Sequence, residues 1–438
     1  MTLQVTVIGT GYLGTVQAAC LAELGCNVLG VDVDADKVAA LSGARLPFFE
    51  PGLAELLERH VRSGRVRFTT SLEEAAAFGD VHLVCVGTPQ RRDGLGADLG
   101  QVRSVVDGLA PHLRRPCLVV GKSTVPVGTA AWMADRLVEL APAGSQVELA
   151  WSPEFLREGH AVDDALRPDR LVFGVSSAAA EKTLRVLYEK ALDAGTPVVV
   201  TDPTTAELVK VAANSFLATK VSFINAMAEL CEATGADVVA LADAIGHDER
   251  IGRRFLNAGL GFGGGCLPKD IRAFMARADE LGVDQALTFL REVDAINLRR
   301  RSRMVELAAE ECDGLQGRQI GVLGAAFKPQ SDDVRDSPAL HVAAQLQRKG
   351  AHVRVYDPMA AKPAAAVFPT LHYVASVEEA ATDADLLLLL TEWPEFTDLD
   401  PAVLGRVVAS RRMLDGRNAL DPQRWRSAGW TYRALGRP

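Results

Sequence analysis

One stretch of this chain holds more chemistry than packing: Gly259-Leu-Gly-Phe-Gly-Gly-Gly-Cys-Leu-Pro-Lys-Asp270. Five glycines precede Cys266, and Lys269 and Asp270 follow it. Glycine admits positive φ and lets a ligand approach without a Cβ in the way. A nearby cation raises a thiol's thiolate fraction, and the thiolate is the nucleophile. These residues point to covalent catalysis by Cys266 with a carboxylate at hand. The competing reading is a glycine-rich loop around an incidental buried cysteine. Lys210 and Asn214, spaced i, i+4, share a helix face that continues with Leu217 and Val221. A lysine on such an apolar face needs a partner or must snorkel to the surface. Glu154 and Glu158 have the same spacing and are expected to share a helix face, either as a functional pair or as two solvated carboxylates.

The elements that must position these groups begin at the first residues. Gln4–Ile8 reads as a strand, Gly9-Thr-Gly11-Tyr12-Leu13-Gly14 as a turn into a helix over 15–24, and 27–31 as a second strand ending at Asp32. Strand, Gly-x-Gly-x-x-Gly turn, helix, strand and acid together form the dinucleotide fingerprint. The glycines let a pyrophosphate approach the helix N-terminus. Asp32 can accept from ribose hydroxyls and would repel a 2′-phosphate, and no arginine follows closely, so NAD is favoured over NADP. A Rossmann-like fold without a cofactor is the alternative. Further buried strands over 81–86 and 117–121 end at Thr88 and Thr124. Ligands on open α/β sheets bind at the carboxyl ends of strands, which places both threonines for contact with cofactor or substrate. Turn and N-cap chemistry would explain them equally.

From Thr204 to Ala233 the chain has no Pro or Gly and predicts one long helix, apolar nearly all round and so buried on most sides. It could join two domains and form a dimer seam. A second α/β half starts near Gln319, with a helix over 339–349, strands over 352–356 and 385–390, and the charged loop Phe327–Pro338. Ala360–Ala366 reads as a loop. The fold class is therefore α/β: two Rossmann-like domains joined by a long central helix and a helical dimerisation region, with expected bounds of 1–200, 201–300 and 317–438. At 438 residues there is ample core. No apolar run approaches membrane-helix length, and Met1 leads almost at once into a strand without a signal-peptide pattern. Seven cysteines without paired Cys-x-x-Cys spacing suggest reduced thiols in a cytoplasmic protein and no zinc site. A net charge of −9 argues against nucleic acid as a partner.

Taken in order, Gly-x-Gly-Tyr-x-Gly, Gly-Thr-Pro, Ser-Thr-Val-Pro-Val-Gly-Thr, Pro-Glu-Phe-Leu-Arg-Glu-Gly, Lys-x-x-x-Asn-Ser-Phe, Gly-Phe-Gly-Gly-Gly-Cys-Leu-Pro-Lys-Asp, Ala-Phe-Lys-Pro and Arg-Asp-Ser-Pro resemble the UDP-glucose/GDP-mannose dehydrogenase family, and most of all its UDP-glucose 6-dehydrogenases. The resemblance runs from residue 3 to about 420. It implies NAD-dependent, four-electron oxidation of a sugar C6 hydroxyl to a carboxylate, through a Cys266 thiohemiacetal and thioester. It assigns Lys210 and Asn214 to the oxyanion, Asp270 and Thr124 to water and protons, and Glu154 to acid/base or water chemistry. Gly9, Gly11, Tyr12, Leu13, Gly14, Asp32, Lys37, Thr88, Thr124, Glu158 and Arg335 would contact NAD. The nucleotide sugar would meet Glu154, Phe155, Leu156, Lys210, Asn214, Phe255, Asn257, Gly261, Phe262, Gly263 and Lys328, with Arg417 a candidate for the diphosphate. Arg250 corresponds to an arginine that reaches a neighbouring subunit's substrate, and the expected assembly is a homodimer. Three positions depart from the commonest pattern: Gly265 stands for a usual serine, Leu267 for an aromatic, and Trp151-Ser152 for a usual Asn before the proline. Leu267 also occurs in GDP-mannose-type motifs, so GDP-mannose, dTDP-glucose and UDP-N-acetyl-hexosamine remain alternatives to UDP-glucose. A nucleotide-sugar-binding regulator without catalysis is the alternative from another class.

Overall fold

The computed structural model describes residues 3–437. The strands of the first half are β1 Gln4–Ile8, β2 Asn27–Val31, β3 Val66–Thr69, β4 Val81–Val84, β5 Cys117–Gly121, β6 Val147–Trp151, β7 Leu171–Val175 and β8 Val198–Thr201. They form one sheet in the order β3-β2-β1-β4-β5-β6-β7-β8. Every neighbouring pair is parallel except β6 with β7. The second half carries β9 Gln319–Leu323, β10 His352–Tyr356, β11 His372–Tyr373, β12 Leu386–Leu389, β13 Arg412–Asp415 and β14 Thr431–Ala434, all parallel in the order β11-β10-β9-β12-β13-β14. Both sheets reverse their strand order beside the first strand of the half, the doubly wound arrangement whose switch point is a ligand crevice. The all-leucine β12 is fully buried, as a central parallel strand covered on both faces requires.

The helices that position the site are α1 Tyr12–Glu23, α2 Thr129–Leu140, α3 Pro203–Thr234, α4 Leu267–Glu280, α5 Phe289–Cys312 and α6 Pro338–Arg348. The chain divides into two compact units. One holds the residues up to Ala213 with Arg272–Gly282; the other holds Asn214–Ile271 with the residues from Val283 onward. Both α3 and α4 pass from one unit to the other.

Four expectations change. Residues 152–160 contain no helix, and the next helix is Ala161–Leu166. Glu50 accepts from the Gly159 and Ala161 amides and Gly159 has a positive φ of 80°, which makes this segment a turn, so Glu154 and Glu158 do not share a helix face. Ala361–Val367 is a helix where a loop was expected. Its alanines are the best helix formers, and Pro363 falls in the tolerant first turn. The glycine-rich segment ends at Cys266, and Lys269 and Asp270 already belong to the first turn of α4. Finally, α3 is not buried on most sides. Phe216, Phe223 and Leu230 form a heptad-spaced stripe with exposures of 68%, 48% and 57%.

Candidate active site

In the first unit the chain leaves β1 at Gly9 and enters α1 at Tyr12. A Cβ on Gly14 would lie 1.8 Å from the Gly9 carbonyl oxygen, so the turn admits only glycine there. A Cβ on Gly11 would meet nothing within 4 Å, which leaves the helix N-terminus open to an anion. Asp32, at the end of β2, is buried and accepts from Thr10 N (2.9 Å), Thr10 Oγ1 (3.0 Å) and Lys37 Nζ (3.0 Å). Burial pushes its pKa up, but the bonds from Lys37, the Asp34 amide and Thr10 outweigh this and hold the carboxyl below its ordinary range. An open helix terminus and an ionised acid one strand away fit a dinucleotide such as NAD. Lys37, expected as a cofactor contact, is paired with Asp32. The Tyr12 hydroxyl bonds Glu50, and burial with that bond raises its pKa. The Leu13 side chain packs against the core, so what these two residues leave for a cofactor is backbone. Thr88 Oγ1 donates to the Thr124 carbonyl at 2.7 Å, which ties together the carboxyl ends of β4 and β5.

The same unit holds the group around Glu154. Glu154 Oε2 accepts from Gln17 Nε2 (2.6 Å) and lies 3.3 Å from Lys122 Nζ, and Oε1 accepts from Phe155 N (2.8 Å). Phe155 is flanked by the Arg170 guanidinium, 3.8 Å from its ring centroid, and by Lys210 Nζ at 5.4 Å. Lys210 is thus half-buried against an aromatic face, neither unpartnered in the core nor fully snorkelled. Leu156 packs with Val16 and Leu53 near Tyr12. Glu50 takes Gly159 N and Ala161 N, each at 2.7 Å, and so fixes the turn that carries the half-buried Glu158. Glu207, one turn before Lys210 on α3, is buried and accepts from Gly128 N (2.8 Å) and Ala130 N (2.6 Å) at the start of α2. Burial raises its carboxyl above the usual range. Arg277 Nε donates to the Val127 carbonyl at 2.9 Å, so the loop that follows Thr124 is held from two helices.

In the second unit Cys266 is exposed and directly precedes α4, where a helix N-terminus favours negative charge. Asp270 N donates to the Cys266 carbonyl at 3.0 Å. The Asp270 carboxylate is buried, receives Asn214 Nδ2 at 2.7 Å and is also bonded by Lys269 Nζ. Lys269 therefore spends its charge on Asp270. The glycine-rich backbone before Cys266 is held by α5: Phe262 N donates to Asn297 Oδ1 (2.7 Å), Asn297 Nδ2 donates to Phe262 O (2.9 Å), and Arg301 Nη2 donates to the same carbonyl (3.2 Å). Arg301 also reaches Asp336 at 2.7 Å. Gly264 N donates to the Arg335 carbonyl at 2.9 Å. A Cβ on Gly265 would lie 2.2 Å from Cζ of Arg335, an exposed guanidinium paired with Asp333 that can swing aside, so this contact does not by itself require glycine.

The remaining expected substrate residues are scattered in role. Arg417 donates to the carbonyls of Leu390 (2.8 Å), Gly261 (3.1 Å) and Phe327 (3.1 Å), so its guanidinium braces backbone and would have to leave those bonds to meet a diphosphate. Lys328 Nζ lies 5.4 Å from the Phe327 ring centroid. Asn257 Oδ1 accepts from Arg253 at 2.7 Å, and Phe255 has a positive φ of 66°. Arg250 is 89% exposed and paired with Asp248 at 2.6 Å. The sequence reading missed Lys122, Glu207, Asn297, Arg301 and Glu50. The i, i+4 spacing of Asn297 and Arg301 inside a helical segment was the available signal for those two.

Fold and site define a doubly wound, dinucleotide-binding protein with a cysteine-centred second half. Sequence models of the UDP-glucose/GDP-mannose dehydrogenase family match residues 3–192 (NAD binding domain), 204–299 (central domain) and 321–422 (UDP binding domain). A UDP-glucose 6-dehydrogenase from Pseudomonas aeruginosa is 41% identical over 452 aligned residues, covering 100% of this chain and 98% of its own. A solved UDP-glucose dehydrogenase from Pyrobaculum islandicum superposes with a TM-score of 0.92 at 38% identity, covering 100% of this chain and 98% of its own. A UDP-D-ManNAc dehydrogenase from Pyrococcus horikoshii gives 0.86 at 26% identity, covering 99% of both chains. The chain belongs to the UDP-glucose/GDP-mannose dehydrogenase family.

Proposed function

We propose that this protein oxidises the C6 hydroxyl of UDP-glucose to the carboxylate of UDP-glucuronate with two equivalents of NAD. The observation that carries the reading is the Cys266 turn, where a thiol at a helix N-terminus stands one turn from a buried carboxylate bonded to Asn214. A two-electron alcohol dehydrogenase would not need that nucleophile.

NAD, when bound, accepts the hydride in each oxidation. Gly9, Gly11, Gly14, Asp32 and Thr88 would hold it, and the family resemblance adds Glu158 and Arg335 as contacts. The other steps belong to protein side chains. Cys266 adds to the aldehyde carbonyl as a thiolate, and the tetrahedral thiohemiacetal can expel its C–H as hydride by re-forming C=O as a thioester, which the trigonal aldehyde cannot do. The thioester formed by the second oxidation is opened by water. By the family resemblance Asp270, helped by Thr124, would orient that water and the Asp270 carboxylate would take its proton, with Glu154 in the same proton traffic. Lys210 and Asn214 donate to the oxyanion that develops at C6. Phe155, Leu156, Phe255, Asn257, Gly261, Phe262, Gly263 and Lys328 line the nucleotide sugar.

Residues 1–200, 201–300 and 317–438 serve NAD binding, dimer formation and nucleotide-sugar binding respectively. The exposed stripe Phe216, Phe223 and Leu230 is covered by a second copy in an isologous homodimer, and the exposed Arg250 reaches the neighbouring copy's substrate. A cytoplasmic location agrees with a chain in which no described helix is long and apolar enough to cross a membrane. The alternative sugars share the chemistry. The likeness to a UDP-D-ManNAc dehydrogenase favours a UDP-N-acetyl-hexosamine as the second reading, and Leu267 keeps GDP-mannose among the alternatives. NADH release on UDP-glucose, dTDP-glucose, GDP-mannose and UDP-N-acetyl-hexosamines, with product masses, decides among them. The highest kcat/KM is expected with UDP-glucose, and a tenfold preference for another sugar would overturn the substrate assignment.

A further inference from the structure

Lys122 is the first residue after β5, and its ammonium is almost completely buried in the first unit. A buried ammonium is tolerated only when its donors are used and its charge is met. Here Nζ donates to the Ser152 carbonyl (3.0 Å) and the Tyr188 hydroxyl (3.1 Å), and it lies 3.3 Å from Glu154 Oε2 as an ion pair. The nearest buried thiol, Cys85, is pushed by burial up to about 12 and stays neutral. Glu154 is therefore the anion that balances Lys122 among the described residues of this pocket. Glu154 in turn has Oε2 shared between Gln17 and Lys122 and Oε1 turned to the Phe155 amide. Its plane is fixed from both oxygens, with lone-pair capacity on Oε1 still unused.

We propose that Lys122 is a positioning residue for catalysis: its ammonium holds Glu154 as an oriented carboxylate, and it acts on the reaction through Glu154. The inference rests on the reading of Glu154 as a participant in the proton traffic of C6 oxidation. Lys122 itself touches neither sugar nor cofactor. Losing it leaves Glu154 held by Gln17 and one amide, without the cation that balances its charge.

The test is a double-mutant cycle of Lys122→Met and Glu154→Gln, with Tyr188→Phe as control. Methionine matches the length of the lysine stem and removes only the charge and its donors. Lys122→Met is expected to lower kcat at least tenfold in the wild-type background, with KM for NAD and sugar changed less than threefold. In the Glu154→Gln background the same change should cost less than threefold. Tyr188→Phe, which keeps the ion pair, should stay within threefold of wild type. Equal kcat losses from Lys122→Met in both backgrounds would overturn the proposal, since Lys122 would then act independently of Glu154. So would no loss in either background. Melting of the four cycle proteins without ligand supplies a second readout: coupled shifts in Tm are expected, and additive shifts would show that the pair does not form. A wild-type protein inactive on every nucleotide sugar, with coupled melting, would sink the functional reading and leave the ion pair standing.

Discussion

Asn297→Ala should damage both stability and turnover, because one side chain on α5 holds the backbone that precedes Cys266. Asn297 is fully buried and makes two bonds to Phe262, four residues before Cys266. Alanine removes both. The Phe262 carbonyl keeps Arg301 as a donor at 3.2 Å, but the Phe262 amide is left without its partner. A buried orphan N–H costs about 1–3 kcal/mol and the second lost bond about 1 kcal/mol, so the change should cost about 2–4 kcal/mol. For a unit of this size that lowers Tm on the order of 5–10 °C. Loosening the loop misplaces Cys266, and a displacement near 1 Å can cost about 100-fold in rate. Asn297→Asp keeps the acceptor for the amide but turns an oxygen towards the Phe262 carbonyl, so it should rescue only part of the loss. Differential scanning fluorimetry and NADH release check both. A Tm within 1 °C of wild type with kcat within threefold would refute the claim that α5 holds the Cys266 loop.

Three further outcomes follow from the structure. Asp32→Ala should narrow the preference for NAD over NADP, since it removes the ribose acceptor and frees Lys37; an unchanged kcat/KM ratio for the two cofactors would count against the assignment. Phe216→Glu with Phe223→Lys should convert dimer to monomer in sedimentation at micromolar concentration, and a wild type already monomeric there would contradict the seam. His82, buried with its Nδ1 bonded to Thr6 Oγ1, is pulled from 6.5 down to about 4 by burial. The unfolded chain therefore binds the extra proton between pH 6.5 and 4. Stability is full above about pH 6.5 and falls as pH drops towards 4, by up to about 3 kcal/mol. His82→Gln should flatten that slope in melts from pH 7.5 to 4.5, and identical slopes would refute it.

The central strands and the first turn were legible because buried parallel strands are continuous apolar runs and the glycine turn sits in its required context, whereas the strands Val66–Thr69, His372–Tyr373, Arg412–Asp415 and Thr431–Ala434, short and broken by polar residues, were not read. The long helix α3 was legible from its unbroken length. Its exposed stripe was not, since apolar residues all round a helix do not say which face a single chain can cover. The Glu154/Glu158 spacing misled because i, i+4 means a shared face only inside a helix, and residues 152–160 are not helical. Lys122, Glu207 and Asn297 escaped notice for a common reason. Each does its work by bonding to backbone or to a side chain far along the chain, and a sequence shows which residues can bond but not which ones meet.

The central claim is that one site carries the sugar through two oxidations with Cys266 holding the intermediate. Stoichiometry tests it most directly: limiting UDP-glucose is consumed to completion with excess NAD, and NADH is counted against product identified by mass. Two NADH per sugar and UDP-glucuronate as the product are predicted. One NADH per sugar, with the C6 aldehyde as the main product, would contradict the account.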